Sequence, residues 1–364
     1  MNGGGSEQQT LLLARHLDRQ RFAPQLWLQH RAGSLLDQVP ADVPVHSFDC
    51  PAPAIYLPGR GHAAVVGSLC RLARAHPVDV VYDRTFNMTA LAAAALDRRR
   101  TPRVSTMVSP PDRAVPLVEK RFIALKRRRL VHAYQNSHAV LAVSEQTADA
   151  ATRYYGLHRS RIEVLPNPVD IVSLRQSAPP SETRRGIVCV GRLTAEKGHA
   201  DLLAAYAKLP PPWRSDHPLR LVGDGPLHSD LRALSTRLGL ESEVTFVGAV
   251  PNAAPEITAA GLLVLPSHFE GLPNVVLEAM ALDTPVVATT AGGTGELSPD
   301  PLRPTMAMVA PGDPAALAKA MRQTLVDSKA AQSRVDAARK HLREHHDVDR
   351  AVRRIEQILE SAVS

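Results

Sequence analysis

Ser267-His268-Phe269-Glu270-Gly271-Leu272-Pro273-Asn274-Val275-Val276-Leu277-Glu278-Ala279-Met280 decides how the rest of this chain is read. An apolar segment, residues 262–266, precedes it and is short enough to be a buried parallel strand. Gly271 permits a sharp turn, and Pro273 suits the first position of a helix, where its missing N–H costs nothing. The predicted helix covers residues 273–282 and is stopped by Asp283-Thr284-Pro285. Strand, tight turn and helix start make an anion site, because Asn274 and Val275 offer N–H groups at the positive end of the helix dipole. Glu270 lies in the turn, and Glu278 follows roughly 7.5 Å along the helix axis at the standard rise. The two carboxylates are too far apart to share a proton, but each can grip a different hydroxyl pair of a ligand whose phosphates sit between them. A nucleotide-sugar, with ribose, diphosphate and hexose in line, has that layout. Taken singly, each carboxylate reads as an ordinary turn or helix-surface residue; the combination carries the argument.

Two further stretches point to the same ligand. Residues 186–190 read as a buried strand, followed by Gly191-Arg192-Leu193-Thr194-Ala195-Glu196-Lys197-Gly198. Arg192 and Lys197 flank a turn into a helix, and a guanidinium fork with a flexible ammonium converging on one point makes a diphosphate clamp. Near the start, Gly3-Gly4-Gly5 feeds Ser6-Glu7-Gln8-Gln9, where Ser6 and Gln9 have the spacing of a capping box. A glycine turn entering a helix is again a phosphate cradle. It is not a dinucleotide fingerprint, since the third glycine of that pattern falls at Gln8.

Glu270 and Glu278, with Gly271, Leu272, Pro273, Asn274 and Val275 between them, resemble the Glu-x7-Glu motif of the family 4 glycosyltransferases. Gly-Arg-x-x-x-x-Lys-Gly at 191–198 is similar to that family's donor-phosphate motif, and Gly4-Gly5-Ser6-Glu7 to its Gly-Gly-x-Glu turn. Asn167-Pro168-Val169-Asp170 resembles its interdomain crossing, and Gly292-Gly293-Thr294-Gly295-Glu296 its glycine turn before a glutamate-bearing helix start. The resemblance implies an α/β protein of the GT-B fold, two doubly wound Rossmann-like domains facing across a cleft. It implies a retaining glycosyltransferase that takes a sugar from a nucleotide-diphosphate sugar, UDP-linked, to a glycan or lipid-linked acceptor in cell-surface polysaccharide or glycolipid synthesis. No cofactor and no metal are implied. Glu270 would hold hexose hydroxyls, Glu278 the ribose, and Arg192 and Lys197 the leaving diphosphate; Gly4, Gly5, Gly271, Leu272, Asn274 and Val275 would line the substrate. Two departures stand out. The family's first strand precedes the glycine turn, and no run ahead of Gly3 can form one, so the expectation is a misassigned start with a strand of about ten residues missing. Where many members carry a sugar-contacting histidine, this chain has Thr106-Met107-Val108-Ser109-Pro110. A sugar-nucleotide epimerase of the same fold and a truncated, non-catalytic homologue are the alternatives.

Strand and helix patterns alternate through both halves, with strands expected at 25–29, 78–82, 104–108, 139–143 and 162–165, then at 186–190, 219–222, 244–248, 262–266 and 285–289. The domains expected are 1–170 for the acceptor and 171–340 for the nucleotide-sugar, with a linker at 173–183. Residues 341–364 should form a helix returning to the first domain. At 364 residues, 44% hydrophobic and 22% charged, the chain has room for about two globular domains. It has no apolar run long enough to span a membrane and no signal peptide; Cys50, Cys70 and Cys189 form neither a disulfide framework nor a metal cluster, which favours the cytoplasm. The net charge of +7 is uneven: residues 1–175 hold 23 Lys+Arg against 14 Asp+Glu, and the remainder 20 against 22. With only 4% aromatics and no binding module, nucleic acid is not the expected partner. Residues 119–130 interleave Phe122, Ile123, Leu125 and Leu130 with Lys126, Arg127, Arg128 and Arg129, the pattern of a helix lying on an anionic membrane face. Asp347-Val348-Asp349 and His345-His346 match metal-binding patterns but fall in a charged C-terminal helix and read as surface.

Overall fold

A computed structural model of the protein describes residues 4–48, 60–96, 101–118, 121–181 and 183–364; Met1, Gly3, Cys50, Glu119 and Lys120 therefore lie outside the described residues. The chain divides into two units, Met1–Asn167 with Val348–Ser364, and Pro168–Asp347.

In the N-terminal unit the order is α1 (Gly5–His16), β1 (Leu26–Leu28), β2 (Val45–Ser47), α2 (Arg60–Ala75), β3 (Val81–Arg84), α3 (Phe86–Ala95), β4 (Arg103–Met107), α4 (Pro111–Val118), α5 (Ile123–Gln135), β5 (Ala139–Ala142), α6 (Glu145–Tyr155) and β6 (Ile162–Val164). Among the described residues these strands make two parallel sheets, β1-β2 and β3-β4-β5-β6. Side chains alternate across the second sheet as the pleat requires. Val140 and Ala142 of β5 join Met107, Val115, Leu130, Tyr134 and Ala148 on one face. On the other, Leu141 and Val104 meet Leu13 of α1, Leu17 just past its end, and the last helix. That helix, α15 (Val348–Val363 in chain order, after the elements below), buries Val352, Ile355, Ile358 and Leu359 in this core. Each such side chain stabilises by on the order of 1.5–3 kcal/mol relative to exposure. Glu356 of the same helix accepts from the Asp18 N–H at 2.9 Å and from Arg21 at 3.1 Å.

The C-terminal unit runs α7 (Ile171–Ser177), β7 (Ile187–Val190), α8 (His199–Ala207), α9 (Pro211–Asp216), β8 (Leu219–Val222), α10 (His228–Arg237), β9 (Val244–Gly248), α11 (Ala254–Ala259), β10 (Leu262–Leu265), α12 (Asn274–Ala281), β11 (Val286–Thr289), β12 (Ala307–Val309), α13 (Pro314–Val326) and α14 (Ser328–His345). Its six strands form one parallel sheet in the order β12-β11-β10-β7-β8-β9. Strand order reverses between β7 and β10, and in sheets of this kind the crevice beyond the carboxyl ends at that switch point is where ligands sit.

Several local expectations change. The strand expected at 78–82 is shifted to Val81–Arg84, because the ladder with β4 is registered from Val81, opposite Arg103. The stretch expected as a linker opens as α7, since Asp170 caps it by accepting the Ser173 N–H at 2.9 Å. The first helix is not capped by Ser6: it starts at Gly5, and Glu7 returns its carboxylate to the Gly4 N–H at 3.0 Å. Pro273 is the N-cap of α12 rather than its first residue. Asp347 stands ahead of α15, in a bridge to Val169, and His346 is 3% exposed, so neither belongs to a charged surface helix. The His346 ring packs on His341, itself buried.

Candidate functional site

The carboxyl ends of β7, β10 and β11, neighbours in the C-terminal sheet, each carry one loop of the site. After β7, Arg192 leads into a 3₁₀ turn, Ala195–Lys197. Gly198 follows at φ +66°, where a Cβ would stand 2.0 Å from the Pro266 carbonyl at the end of β10. Only glycine lets these two loops lie in contact. The next loop is fixed in the same way: Gly292, at φ +56°, would place a Cβ 1.9 Å from the Glu270 carbonyl. A backbone bond from the His268 N–H to the Glu196 carbonyl, 2.8 Å, joins the first two loops again. The loops of the site are thus held together by main-chain contacts.

Lys197 and Glu270 are brought together. The Lys197 ammonium donates to Glu270 Oε1 at 2.7 Å, and the Ser267 hydroxyl donates to the same oxygen at 2.7 Å. Glu270 is 9% exposed, so its carboxylate is oriented from one side by a cation and a hydroxyl. Arg192 is not part of this cluster. Its side chain is 73% exposed, and its ion pair is a loose one to Glu196 at 3.9 Å, a geometry that contributes well under ~1 kcal/mol. Of the two cations expected in a clamp, Lys197 is held by Glu270 and Arg192 is exposed at the rim.

Glu278 is on the second turn of α12, whose Val276, Leu277, Ala279 and Met280 are buried. Its carboxylate has no hydrogen-bond partner among the described residues, and burial alone pushes its pKa up to about 7. A sunken carboxylate without donors is what a ligand bearing hydroxyls would complete. The ladder of α12 begins with the Val276 N–H returning to the Pro273 carbonyl at 3.2 Å, which leaves the Asn274 and Val275 amides at the positive helix end. Gly271 and Leu272 are buried in the connecting turn. Gly4 and Gly5 open α1 in the other unit.

Three contributors escaped the sequence reading. Ser267 reads only as a strand-end residue, although its spacing of three from Glu270 is that of a local side-chain bond. Thr194 fixes Glu196 through a hydroxyl bond of 2.6 Å. His199 opens α8, is 2% exposed with both ring nitrogens unpartnered, and is pushed down to a pKa of about 4 by burial and by Lys197. Cys189, under the clamp on β7, is pushed up to about 12 by burial and is inert as a nucleophile. Among the described residues no group of three or more His, Cys, Asp or Glu is placed to hold a metal ion.

Comparison with known proteins finds relatives across both units. Residues 3–172 match the family model described as Glycosyltransferase Family 4, and residues 184–327 the one described as Glycosyl transferases group 1. The chain is 30% identical over 250 residues to a 2-deoxystreptamine glucosyltransferase of Streptomyces kanamyceticus, covering 62% of each protein. It is 33% identical over 236 residues to a glycogen synthase of Mycobacterium tuberculosis, covering 60% of this chain and 54% of that enzyme. The match thus spans less than two thirds of either relative's own length. Against LpsE of Rhizobium meliloti, described as a lipopolysaccharide core biosynthesis glycosyltransferase, it is 28% identical over 76% of this chain and 80% of LpsE. Among solved structures, Anabaena Alr3699/HepE in complex with UDP-glucose superposes with a TM-score of 0.79 at 25% identity, over 99% of this chain and 97% of that one.

Proposed function

We propose that this chain, which belongs to the family 4 glycosyltransferases and has the GT-B fold, moves a sugar with retention of configuration from a UDP-sugar to a glycan or lipid-linked acceptor in cell-surface polysaccharide or glycolipid synthesis. The observation that carries this reading is the pairing of Lys197 with Glu270 at the switch point of the C-terminal sheet, with Glu278, unpartnered among the described residues, on the second turn of the helix that follows. In the reaction, Glu270 holds hexose hydroxyls and Glu278 the ribose diol. Lys197 is already aimed beside the diphosphate position, and Arg192 closes from the rim as negative charge builds on the leaving group. That charge is the largest electrostatic demand of the step. Glu270 is engaged by Lys197 and Ser267 and Cys189 is buried, which supports a transfer without a covalent enzyme intermediate. The bond from the anomeric carbon to the diphosphate oxygen breaks as the acceptor hydroxyl attacks from the same face, and the departing oxygen takes that hydroxyl's proton. A UDP-bound solved relative supports the choice of base.

The experiment is a panel of nucleotide-sugars assayed for release of free nucleotide with and without acceptor, in the presence of EDTA. Acceptor-dependent release from a UDP-sugar, undiminished by chelator and giving a product of retained anomeric configuration, is the expected result. An inverted product would overturn the mechanism, and donor isomerisation without acceptor would make the chain an epimerase.

The reading extends to a membrane face. Leu117, Val118, Phe122 and Leu125 of α4, α5 and the segment joining them are 45%, 56%, 71% and 48% exposed. Phe122 holds a left-handed backbone, φ 56°, rare for a bulky residue. Arg128 and Arg129 are exposed beside them. Leu130, expected in this patch, is 2% exposed and packs inward instead, while Leu117 and Val118 take its place. Exposed apolar side chains on and between α4 and α5, with Leu125 about one helix turn from Arg128 and Arg129, support contact with anionic lipid headgroups at the inner membrane face. Among the described residues no helix is long and apolar enough to cross a membrane.

A further inference from the structure

At the carboxyl edge of the N-terminal unit's larger sheet stands a guanidinium without a counter-ion. Arg84 ends β3 and is half-buried. Among the described residues its hydrogen bonds go only to neutral groups: Nη1 donates to the Tyr82 hydroxyl at 3.0 Å and Nη2 to Asn167 Oδ1 at 2.9 Å. Its Nε–H is sealed from solvent and donates to nothing. Beside it, the hydroxyls of Thr106 and Tyr82 are bonded to each other at 3.1 Å. Tyr82, Arg84 and Thr106 share one face of the sheet, since Arg84 and Thr106 are paired across β3 and β4 and Tyr82 is two residues before Arg84. Of the two hydroxyl protons, one is spent between Tyr82 and Thr106 and the other has no acceptor. The cluster therefore holds several unspent donors and a full positive charge, with no carboxylate to match.

The backbone next to it is under strain. Thr85 has φ +76°, ψ 144°, a conformation that a β-branched residue adopts only when its surroundings impose it. It caps α3, and its N–H donates to the Thr106 carbonyl at 3.3 Å, so the strained turn and the cluster are bound to each other. Orphaned donors, an uncompensated charge and stored strain in one place, at the end of a parallel sheet where ligands bind, ask for a ligand that brings negative charge and acceptors.

We propose that Arg84, Tyr82 and Thr106 form an oxyanion site in the N-terminal unit, and that it receives a phosphate or carboxylate carried by the acceptor. The assignment of the ligand to the acceptor rests on the glycosyltransferase reading; the oxyanion site itself does not. The Arg84 fork supplies two parallel donors to two oxygens, and the free hydroxyl proton supplies a third. Binding forms and breaks no covalent bond. It selects anionic acceptors over neutral ones of the same shape.

The test uses the whole protein saturated with UDP, so that the donor clamp is occupied, and titrates inorganic phosphate and, separately, acetate by calorimetry. One saturable site is expected for phosphate or for acetate, and which of them binds tells a phosphate-bearing from a carboxylate-bearing acceptor. Arg84→Gln should weaken it about tenfold or more, the scale of a lost charge-assisted pair of bonds. Tyr82→Phe should weaken it less, and Arg84→Lys should keep part of it. If Arg84→Gln misfolds, shown by loss of its thermal transition, the Tyr82→Phe and Arg84→Lys series decides. Absence of any saturable anion binding to the UDP-loaded wild type overturns the site, as does binding that all three variants leave intact. Failure of UDP to bind at all would instead strike the glycosyltransferase reading, and phosphate and acetate titrated into the free protein would still judge Arg84.

Discussion

The two units are built on parallel sheets of the same kind, but they keep their polar groups in different places. In the C-terminal unit Ile187, Cys189, Leu219, Leu221, Leu262 and Val264 form an apolar interior around β7, β8 and β10, and ion pairs lie at its margin, as between Arg220 of β8 and Glu256 of α11 at 2.8 Å. In the N-terminal unit a charge pair lies inside. Asp83 of β3 and Arg103 of β4 are 5% and 3% exposed. Asp83 accepts from the Thr89 hydroxyl and, at 2.8 Å, from Ser105. The Arg103 guanidinium stands 3.7 Å from it and donates to the Ala133 carbonyl of α5 at 2.8 Å. This network locks β3 and β4 to α3 and α5. An apolar interior tolerates repacking, whereas a buried ion pair punishes any change to one partner alone. The C-terminal unit is therefore the robust half and the N-terminal unit the brittle one.

Arg103→Met is the sharpest way to break that contrast. It strands Asp83 without its cation and should cost about 3–5 kcal/mol. The double variant Asp83→Leu/Arg103→Met should recover most of the loss. The chain has two tryptophans, Trp27 in one unit and Trp213 in the other, so Trp27→Phe and Trp213→Phe backgrounds report each unit in a urea titration. Loss confined to the Trp27 signal sustains the comparison; equal loss in both would mean that the units unfold as one. The pH dependence has a definite sign. Burial raises Asp83 to about 6 from 3.8, so the folded state holds that proton more tightly than the unfolded chain. This group's contribution is largest below pH 3.8 and is lost as pH rises through about 6, and Asp83→Asn should remove that slope.

Next in size is the effect of the donor loops. Lys197→Ala should lower turnover by about 10²-fold, the scale of a lost donor to a developing anion. Arg192→Ala should cost about tenfold, because its side chain must first be ordered from the rim. The melting transition of Arg192→Ala should match the wild type, whereas that of Lys197→Ala should fall, because Glu270 loses the cation paired with it. Near-normal rates in both would remove the clamp.

The difference between the units also explains what could be read in advance. Five of the C-terminal strands appeared at nearly their observed bounds, β7, β8 and β10 because each is a short, mostly aliphatic run closed by a glycine or proline, whereas β12 (Ala307–Val309) was missed. The pairing of Lys197 with Glu270 joins two residues that the sequence had put forward from their separate motifs, whereas Arg192 lies apart from them. What stayed hidden depends on contacts distant in sequence. Nothing at position 198 says that Pro266 leaves no room for a Cβ, and nothing near Asp83 announces Arg103, 20 residues on, as its partner. The shift of β3 had the same origin, since nothing in Val78-Asp79-Val80 shows that the ladder with β4 is registered from Val81, opposite Arg103.

A smaller effect sharpens the account of Glu278. With its pKa raised to about 7, this carboxylate is half protonated at neutral pH, and only the ionised form accepts two hydroxyl bonds. UDP-glucose affinity should therefore fall as pH drops from 8 to 6, by about tenfold per unit at the acid end. Glu278→Gln should bind more weakly and with no such slope. Calorimetric affinities at three pH values decide it; a slope retained in Glu278→Gln would assign the titration elsewhere.

The smallest expected effect belongs to the brittle unit's surface, where each basic residue near an anionic membrane contributes about 1 kcal/mol. The four exposed side chains Leu117, Val118, Phe122 and Leu125 cannot all be solvated cheaply, and Arg128 and Arg129 stand next to them. Arg127 is placed differently, with its guanidinium 5.1 Å from the ring centroid of Tyr154, so its charge is partly spent on that face. Weak, reversible binding to anionic vesicles should follow, falling as salt rises, with none to neutral vesicles. Because Arg127 is already engaged, Arg128→Glu with Arg129→Glu should weaken binding more than Arg127→Glu paired with either one. Phe122→Ser should weaken it without changing the salt dependence, since it removes apolar area and no charge. Co-sedimentation with both kinds of vesicle measures all three. Salt-independent absence of binding would return these residues to an ordinary solvated face, and the contrast between the units would then rest on their interiors alone.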